Sequence, residues 1–186
     1  AAGLTESLVN KGFTHGRLKT GTPPRLLKSS INWDETTPAF GDDKPTPFSI
    51  LTKAPFKPLN HPCKIVNTNS ILHDLLSENI DKSAMYSGRI KGVGPRYCPS
   101  IEDKIMRFKG RESHQLFLEP EWENSDQIYL NGFSTSMPEH IQLKALRKIP
   151  ALEKVEFIRP GYAIEYDFIP TSQLKNTLES KTIKGL

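Results

Sequence analysis

Apolar and polar positions alternate most regularly toward the end of the chain. In Tyr162-Ala163-Ile164-Glu165-Tyr166-Asp167-Phe168 the bulky apolar side chains fall on every second residue. Glu165 and Asp167 fall opposite, which predicts a half-buried strand. His114-Gln115-Leu116-Phe117-Leu118 and Gln127-Ile128-Tyr129-Leu130 flank an acidic turn from Glu119 to Asp126 and predict an antiparallel pair. Short strands are also expected at 155–158 and at Cys63-Lys64-Ile65-Val66. Helical spacing governs 67–80, where Ile71, Leu72, Leu75, Leu76 and Ile80 share a face and Thr68 or Asn69 can cap. A second amphipathic helix places Ile141, Ala145 and Ile149 on one side until Pro150 stops it. Ser136 and Glu139 stand before it at capping-box spacing. Residues 1–10 read as the end of a helix, with Leu4 and Leu8 one turn apart and Gly12 as the stop, and 172–181 as a short helix or turn.

Three stretches interrupt these patterns. Gly16-Arg17-Leu18-Lys19-Thr20-Gly21-Thr22-Pro23-Pro24-Arg25 is rich in glycine, threonine and proline. It predicts a rigid turn rather than a helix or strand. It projects Arg17, Lys19 and Arg25, either as scattered surface charge or as a contact for an anion or cofactor. Residues 38–62 carry six prolines, so that segment is expected to be extended and draped over another surface. Gly88-Arg89-Ile90-Lys91-Gly92-Val93-Gly94-Pro95 contains a Gly-x-Gly, but Tyr97 stands where a dinucleotide fingerprint needs glycine. Together the elements predict an α/β (α+β) fold.

Composition narrows the function classes. Hydrophobic residues make up 36% of the 186, enough for a packed core. No apolar run reaches the roughly 20 residues that cross a bilayer, so no membrane partner is expected. The net charge of +4 is mild, but residues 88–111 hold seven Lys or Arg against two acids. That local field attracts phosphates, of a nucleotide or of RNA. Cys63 and Cys98 are the only cysteines and nothing has zinc-ligand spacing. They are read as free thiols in a reducing compartment in preference to a disulfide between them, with no metal expected.

The candidate chemistry centres on Gly94-Pro95-Arg96-Tyr97-Cys98-Pro99-Ser100-Ile101-Glu102-Asp103-Lys104. Ser100 and Asp103 form a capping box at the start of a helix that runs through Arg107 and Phe108 to a stop at Gly110. Cys98 then faces the positive end of a helix dipole, near Arg96 and Lys104. Such surroundings lower a thiol pKa and activate it as a nucleophile. The same free N–H groups, from Ser100 to Asp103, suit a phosphate instead. A buried, inert cysteine is the bland alternative. Glu165 and Asp167, two apart on a strand, are read as the wet face of a sheet before an acid–base pair.

The segments 16–25 and 94–104, with Tyr97-Cys98-Pro99-Ser100, resemble the MnmG/GidA family. So do Arg159-Pro160-Gly161-Tyr162-Ala163-Ile164-Glu165-Tyr166-Asp167, His114-Gln115-Leu116-Phe117-Leu118-Glu119-Pro120-Glu121 and Asn131-Gly132-Phe133-Ser134-Thr135-Ser136. The likeness runs along nearly the whole chain. It implies a flavoenzyme that modifies the wobble uridine of tRNA with a 5-carboxymethylaminomethyl-type or taurinomethyl-type group. It implies FAD on a glutathione-reductase-like fold with an inserted α/β domain, NADH as reductant, and a one-carbon unit from methylenetetrahydrofolate. The implied partners are tRNA, an MnmE-family GTPase and a second copy of the chain. The composition fits an organellar member, mitochondrial if the source is eukaryotic and otherwise cytoplasmic. Trp122 departs from the family, which usually has glycine there. The flanking flavin fingerprint is missing, so the chain is expected to begin and end inside a longer protein and to bind FAD poorly alone.

Carried onto these residues, the resemblance makes Cys98 catalytic. It assigns nicotinamide dinucleotide binding to Gly94, Arg96, Tyr97, Ser100, Ile101, Glu102, Asp103, Lys104, Arg107 and Phe108. Arg17, Lys19 and Arg25 are expected near flavin or substrate. The expected organisation is 1–30 in the FAD-binding domain, 31–112 inserted, and 113–186 returning to the FAD-binding domain. A non-catalytic RNA-binding module and a small-molecule flavin or NAD oxidoreductase are the alternatives.

Overall fold

The structure is a computed structural model and describes residues 2–53, 55–58, 61–95 and 97–186. Arg96, one of the expected binding residues, lies outside the described residues. Six strands form one sheet in the order β3-β4-β5-β6-β2-β7: β2 Arg25–Leu27, β3 Thr37–Ala39, β4 Cys63–Asn67, β5 Gln115–Pro120, β6 Gln127–Asn131 and β7 Phe157–Arg159. A two-stranded ribbon pairs β1, Gly16–Gly21, with β8, Ala163–Phe168. All pairings between these strands are antiparallel, so the α+β form of the expectation holds. The sheet draws strands from all three expected segments and crosses both boundaries set at residues 30 and 112.

Register explains which face is covered. Leu26 lies opposite Ile128, Leu130 opposite Leu118, and Leu116 opposite Val66. All six are buried, forming an apolar row across the sheet. Side chains on one face of a strand recur every second residue, so this row fixes the pairing. Helices cover it: α2, Ser70–Glu78, through Leu72 and Leu76; α3, Ile101–Arg107, through Ile101 and Ile105; and α4, Glu139–Leu146, through Ile141, Ala145 and Leu146. An antiparallel sheet with one covered face needs only that much helix. The N-terminal helix α1, Ala2–Val9, sits beside the ribbon, where the Thr5 hydroxyl donates to Asp167 Oδ2 at 2.7 Å.

Four expectations need correction. The turn expected at 16–25 contains strand β1 and begins β2. Its partner β8 is distant in sequence, so local composition could not show the pairing. Ser136 does not cap α4; Pro138 occupies that position without a side-chain bond. The Ser136 hydroxyl instead meets the Ser83 hydroxyl at 2.7 Å and accepts from the Met85 N–H at 3.1 Å. Ile71 faces solvent, because the apolar stripe of α2 turns Leu72 and Leu76 inward. Asn69 supplies the cap of α2, accepting from the Leu72 N–H. On β8, Tyr166 and Phe168 each remain 39% exposed, so the apolar face of the ribbon is only partly covered.

The ribbon joins the body through close backbone packing. The Thr135 N–H donates to the Thr22 carbonyl, and the Thr22 N–H to Tyr162. Buried Gln142 accepts from the Gly161 N–H and donates to the Gly161 carbonyl, both at 2.8 Å. A Cβ on Gly161 would stand 2.4 Å from the Thr22 carbonyl oxygen, and one on Gly21 would stand 2.7 Å from Thr135 backbone. Gly161→Ala is therefore expected to push the ribbon off the body at a cost of about 1–3 kcal/mol. Faster amide exchange confined to β1, β8 and 134–136 in the full-length protein checks this. Unchanged exchange there rejects it.

Candidate functional site

Helix α3 carries the site. Ser100 caps it as expected: Ser100 Oγ accepts from the Asp103 N–H at 3.1 Å, and Asp103 Oδ2 accepts from the Ser100 N–H at 3.2 Å. The Ile101 N–H donates to the Ser134 carbonyl at 2.7 Å, and the Lys104 N–H to the Ser100 carbonyl at 3.0 Å. The N–H groups of Ser100, Ile101, Asp103 and Lys104 thus have internal partners. This overturns the expectation that they are free to face a thiolate or hold a phosphate.

The individual side chains separate into two groups. Ile101 is fully buried in the core, and Glu102 is buried against 134–136. Neither reaches a ligand on the surface. Arg107 lies 3.8 Å from the Asp103 carboxylate, one turn back. Gly94 follows the short bridge between Leu18 and Val93, and a Cβ there would touch nothing, so no close approach requires that glycine. Tyr97 and Phe108 are exposed, and Lys104 is half-buried. Arg17 pairs with Glu165 and Asp167 at 3.6 and 3.7 Å, and Lys19 Nζ donates to the Met85 carbonyl. The acidic pair of β8 is thereby engaged by Arg17 and by the Lys91 N–H on Glu165.

Cys98 is exposed, two residues before the cap. It opens into a cavity of about 340 Å³ shared with Thr20, Arg25, Lys104, Tyr129 and Ser134. That volume lies within the roughly 300–1,000 Å³ typical of small-molecule sites. The Thr20 hydroxyl, near the end of β1, donates toward Cys98 Sγ at 3.8 Å. Lys104 Nζ donates to the Gly132 carbonyl at 2.9 Å. Burial lowers the Lys104 pKa, and the neighbouring Cys98 sulfur pulls it part of the way back. The Arg25 guanidinium binds Glu121 at 2.8 Å and lies 4.8 Å over the Tyr129 ring, so its charge is matched locally. The Ser134 hydroxyl oxygen is buried with no partner among the described residues.

These groups can do nucleophilic chemistry on a flat polar ring. The sulfur can serve as the nucleophile, Lys104 can supply positive charge or a proton, and Thr20 and Ser134 offer hydroxyls. Of the residues that line this cavity, the sequence reading singled out Arg25, Tyr97, Cys98 and Lys104. It did not single out Thr20, Tyr129 or Ser134, although Thr20 and Ser134 stand in segments that carry the family resemblance and Tyr129 on a predicted strand. A larger cavity, about 700 Å³, lies between Trp33, Trp122, Pro62 and Cys63. Burial raises the Cys63 thiol there, with Glu119 adding to the effect. A thiol held protonated is the weaker nucleophile. The smaller cavity is therefore the better reactive site.

The model of a family described as Glucose inhibited division protein A matches residues 1–186. The chain belongs to that family. Among similar proteins of this family, the tRNA uridine 5-carboxymethylaminomethyl modification enzyme MnmG of Flavobacterium johnsoniae is 53% identical across 100% of the chain. That of Chlorobium phaeobacteroides is 52% identical, also across 100%. The chain spans 30% of the length of each. Aquifex aeolicus GidA in its form I crystal superimposes with a TM-score of 0.87 at 46% identity, over 97% of this chain and 31% of that one. The family fold is thus matched with the Cys98 cavity inside it.

Proposed function

We propose that the chain is the central part of a flavoenzyme that modifies the wobble uridine of tRNA. The observation that carries this reading is a match along the whole chain to proteins named for that activity, with an open nucleophile cavity in the matched region. The group installed is of the 5-carboxymethylaminomethyl or taurinomethyl type. FAD, NADH, methylenetetrahydrofolate, an MnmE-family GTPase and a second copy complete the system. The relatives named above are bacterial and lend nothing to a mitochondrial location.

Neither redox cofactor fits these residues by themselves. For NADH, the N–H groups at the start of α3 are bonded internally, and Ile101 and Glu102 face the core. For FAD, the 186 residues contain no Gly-x-Gly-x-x-Gly, and Arg17 and Lys19 are held by internal partners. What these residues supply is the nucleotide chemistry. Cys98 adds through sulfur to C6 of the uracil ring, and the electron pair of the C5–C6 bond moves toward C5 and O4. Lys104 stabilises that charge. C5 then takes the one-carbon electrophile, loses its proton, and the returning pair expels the thiolate. Splitting one hard substitution into two easier steps is what such catalysis provides.

The test uses full-length protein with its GTPase partner. Modified uridine is expected only when tRNA, folate and reductant are all present. Flavin reduction with turnover of a small molecule and no tRNA would favour a small-molecule oxidoreductase. Tight tRNA binding with no modified product would favour an RNA-binding module.

A further inference from the structure

We propose that a second cavity, adjoining that of Cys98, holds a phosphate of the tRNA strand next to the nucleotide whose base enters the Cys98 cavity. This rests on the tRNA-modifying reading above. The cavity is about 530 Å³ and shares Lys104 and Pro99 with the Cys98 cavity. Arg111, His114 and Phe108 also line it, and no aspartate or glutamate among the described residues does. Arg111 has no carboxylate within ion-pair distance among the described residues. Its guanidinium lies 5.7 Å from the centre of the Phe108 ring, which is 51% exposed. An exposed ring beside a cation is a platform for a stacked base and its phosphate.

His114 gives the independent sign. It is 7% exposed, yet its Nε2 has no partner among the described residues. Buried polar atoms normally have one. Its main chain is fixed, because the His114 N–H donates to Thr68 Oγ1 at 2.7 Å and the Thr68 N–H to the His114 carbonyl at 2.9 Å. Thr68 Oγ1 also meets His73 Nε2 at 2.7 Å. Burial lowers the His114 pKa, and the charges of His73, Lys104 and Arg111 lower it further. An anion in the cavity offsets that repulsion and places a negative charge beside the unpartnered imidazole. A strand phosphate fits better than a dinucleotide. The wall offers side-chain cations and an aromatic face, without the acid that holds a ribose hydroxyl or a free helix end for a pyrophosphate.

The test is Arg111→Gln in the full-length protein, with Arg111→Lys as the charge-retaining control. Labelled tRNA is titrated at a series of salt concentrations, and NADH-driven flavin reduction is followed in parallel. Losing one charged contact is expected to weaken tRNA binding about tenfold. The salt slope should fall by about 0.7–0.9. Arg111→Lys should restore the slope, and flavin reduction should not change. Unchanged tRNA affinity and slope in Arg111→Gln overturn the proposal. So does a raised KM for NADH with tRNA binding intact, which assigns the cavity to the dinucleotide. Wild-type protein that binds no tRNA at all would instead remove the functional reading beneath it.

Discussion

Cys98→Ser in the full-length protein is expected to lower tRNA modification by more than about a hundredfold while leaving tRNA affinity and flavin reduction unchanged. A positioned acid or base is commonly worth about 10²–10⁴ in rate, and a covalent nucleophile at least as much. Serine keeps the size and the hydrogen bond from Thr20 but is a far poorer nucleophile at neutral pH. The cavity keeps its walls, because Lys104 is held by Gly132 and Arg25 by Glu121 independently of the sulfur. A loss confined to turnover therefore identifies the sulfur with the chemistry. Normal modification by Cys98→Ser would remove it from the mechanism. A loss that tracks tRNA affinity would make it a binding contact.

Much of this site was legible in the chain because its signals are local. The Ser100–Asp103 capping box depends on a spacing of three and forms as read. The β5–β6 pair and the α2 face depend on periods of two and 3.6, and both were readable within a few residues, Ile71 apart. What escaped depends on contacts between distant segments. Strand β1 was hidden by its glycines and threonines, since pairing with β8 rather than propensity makes it a strand. Tyr129 and Ser134 line the Cys98 cavity only because β6 and its following loop fold beside α3. The N–H groups of α3 looked free because the Ser134 carbonyl that receives Ile101 lies far along the chain. The same blindness affected Glu102, which a capping-box reading leaves at the surface.

Glu102→Ala is expected to be the most damaging change to the fold of the site. Helical phase turns residues 101, 102 and 105 toward the body, and Glu102 is 1% exposed. Its Oε1 accepts from the Ser136 N–H at 2.9 Å and from the Thr135 hydroxyl at 3.0 Å, with the Ser83 hydroxyl at 3.4 Å. Truncation strands these donors, at about 1–3 kcal/mol for each one left unpaired, and opens a void that adds to the loss. Local opening of α3 should then speed its amide exchange at least about a hundredfold in the full-length protein. Glu102→Gln keeps the accepting oxygen and should lose much less. The carboxylate also predicts a pH signature. Burial raises its pKa above the ordinary value of 4.5, outweighing the hydrogen bonds that lower it. The folded state therefore binds the proton more tightly than the unfolded chain does. The stabilisation is complete below about 4.5 and is lost as pH rises through the raised folded value. Protection of α3 should decline over that window in the wild type, and the decline should be absent in Glu102→Gln. Equal protection of α3 in wild type and Glu102→Ala would show that the carboxylate does not hold the helix. The cavity beside Cys98 would then owe its shape to the apolar contacts of Ile101 and Ile105.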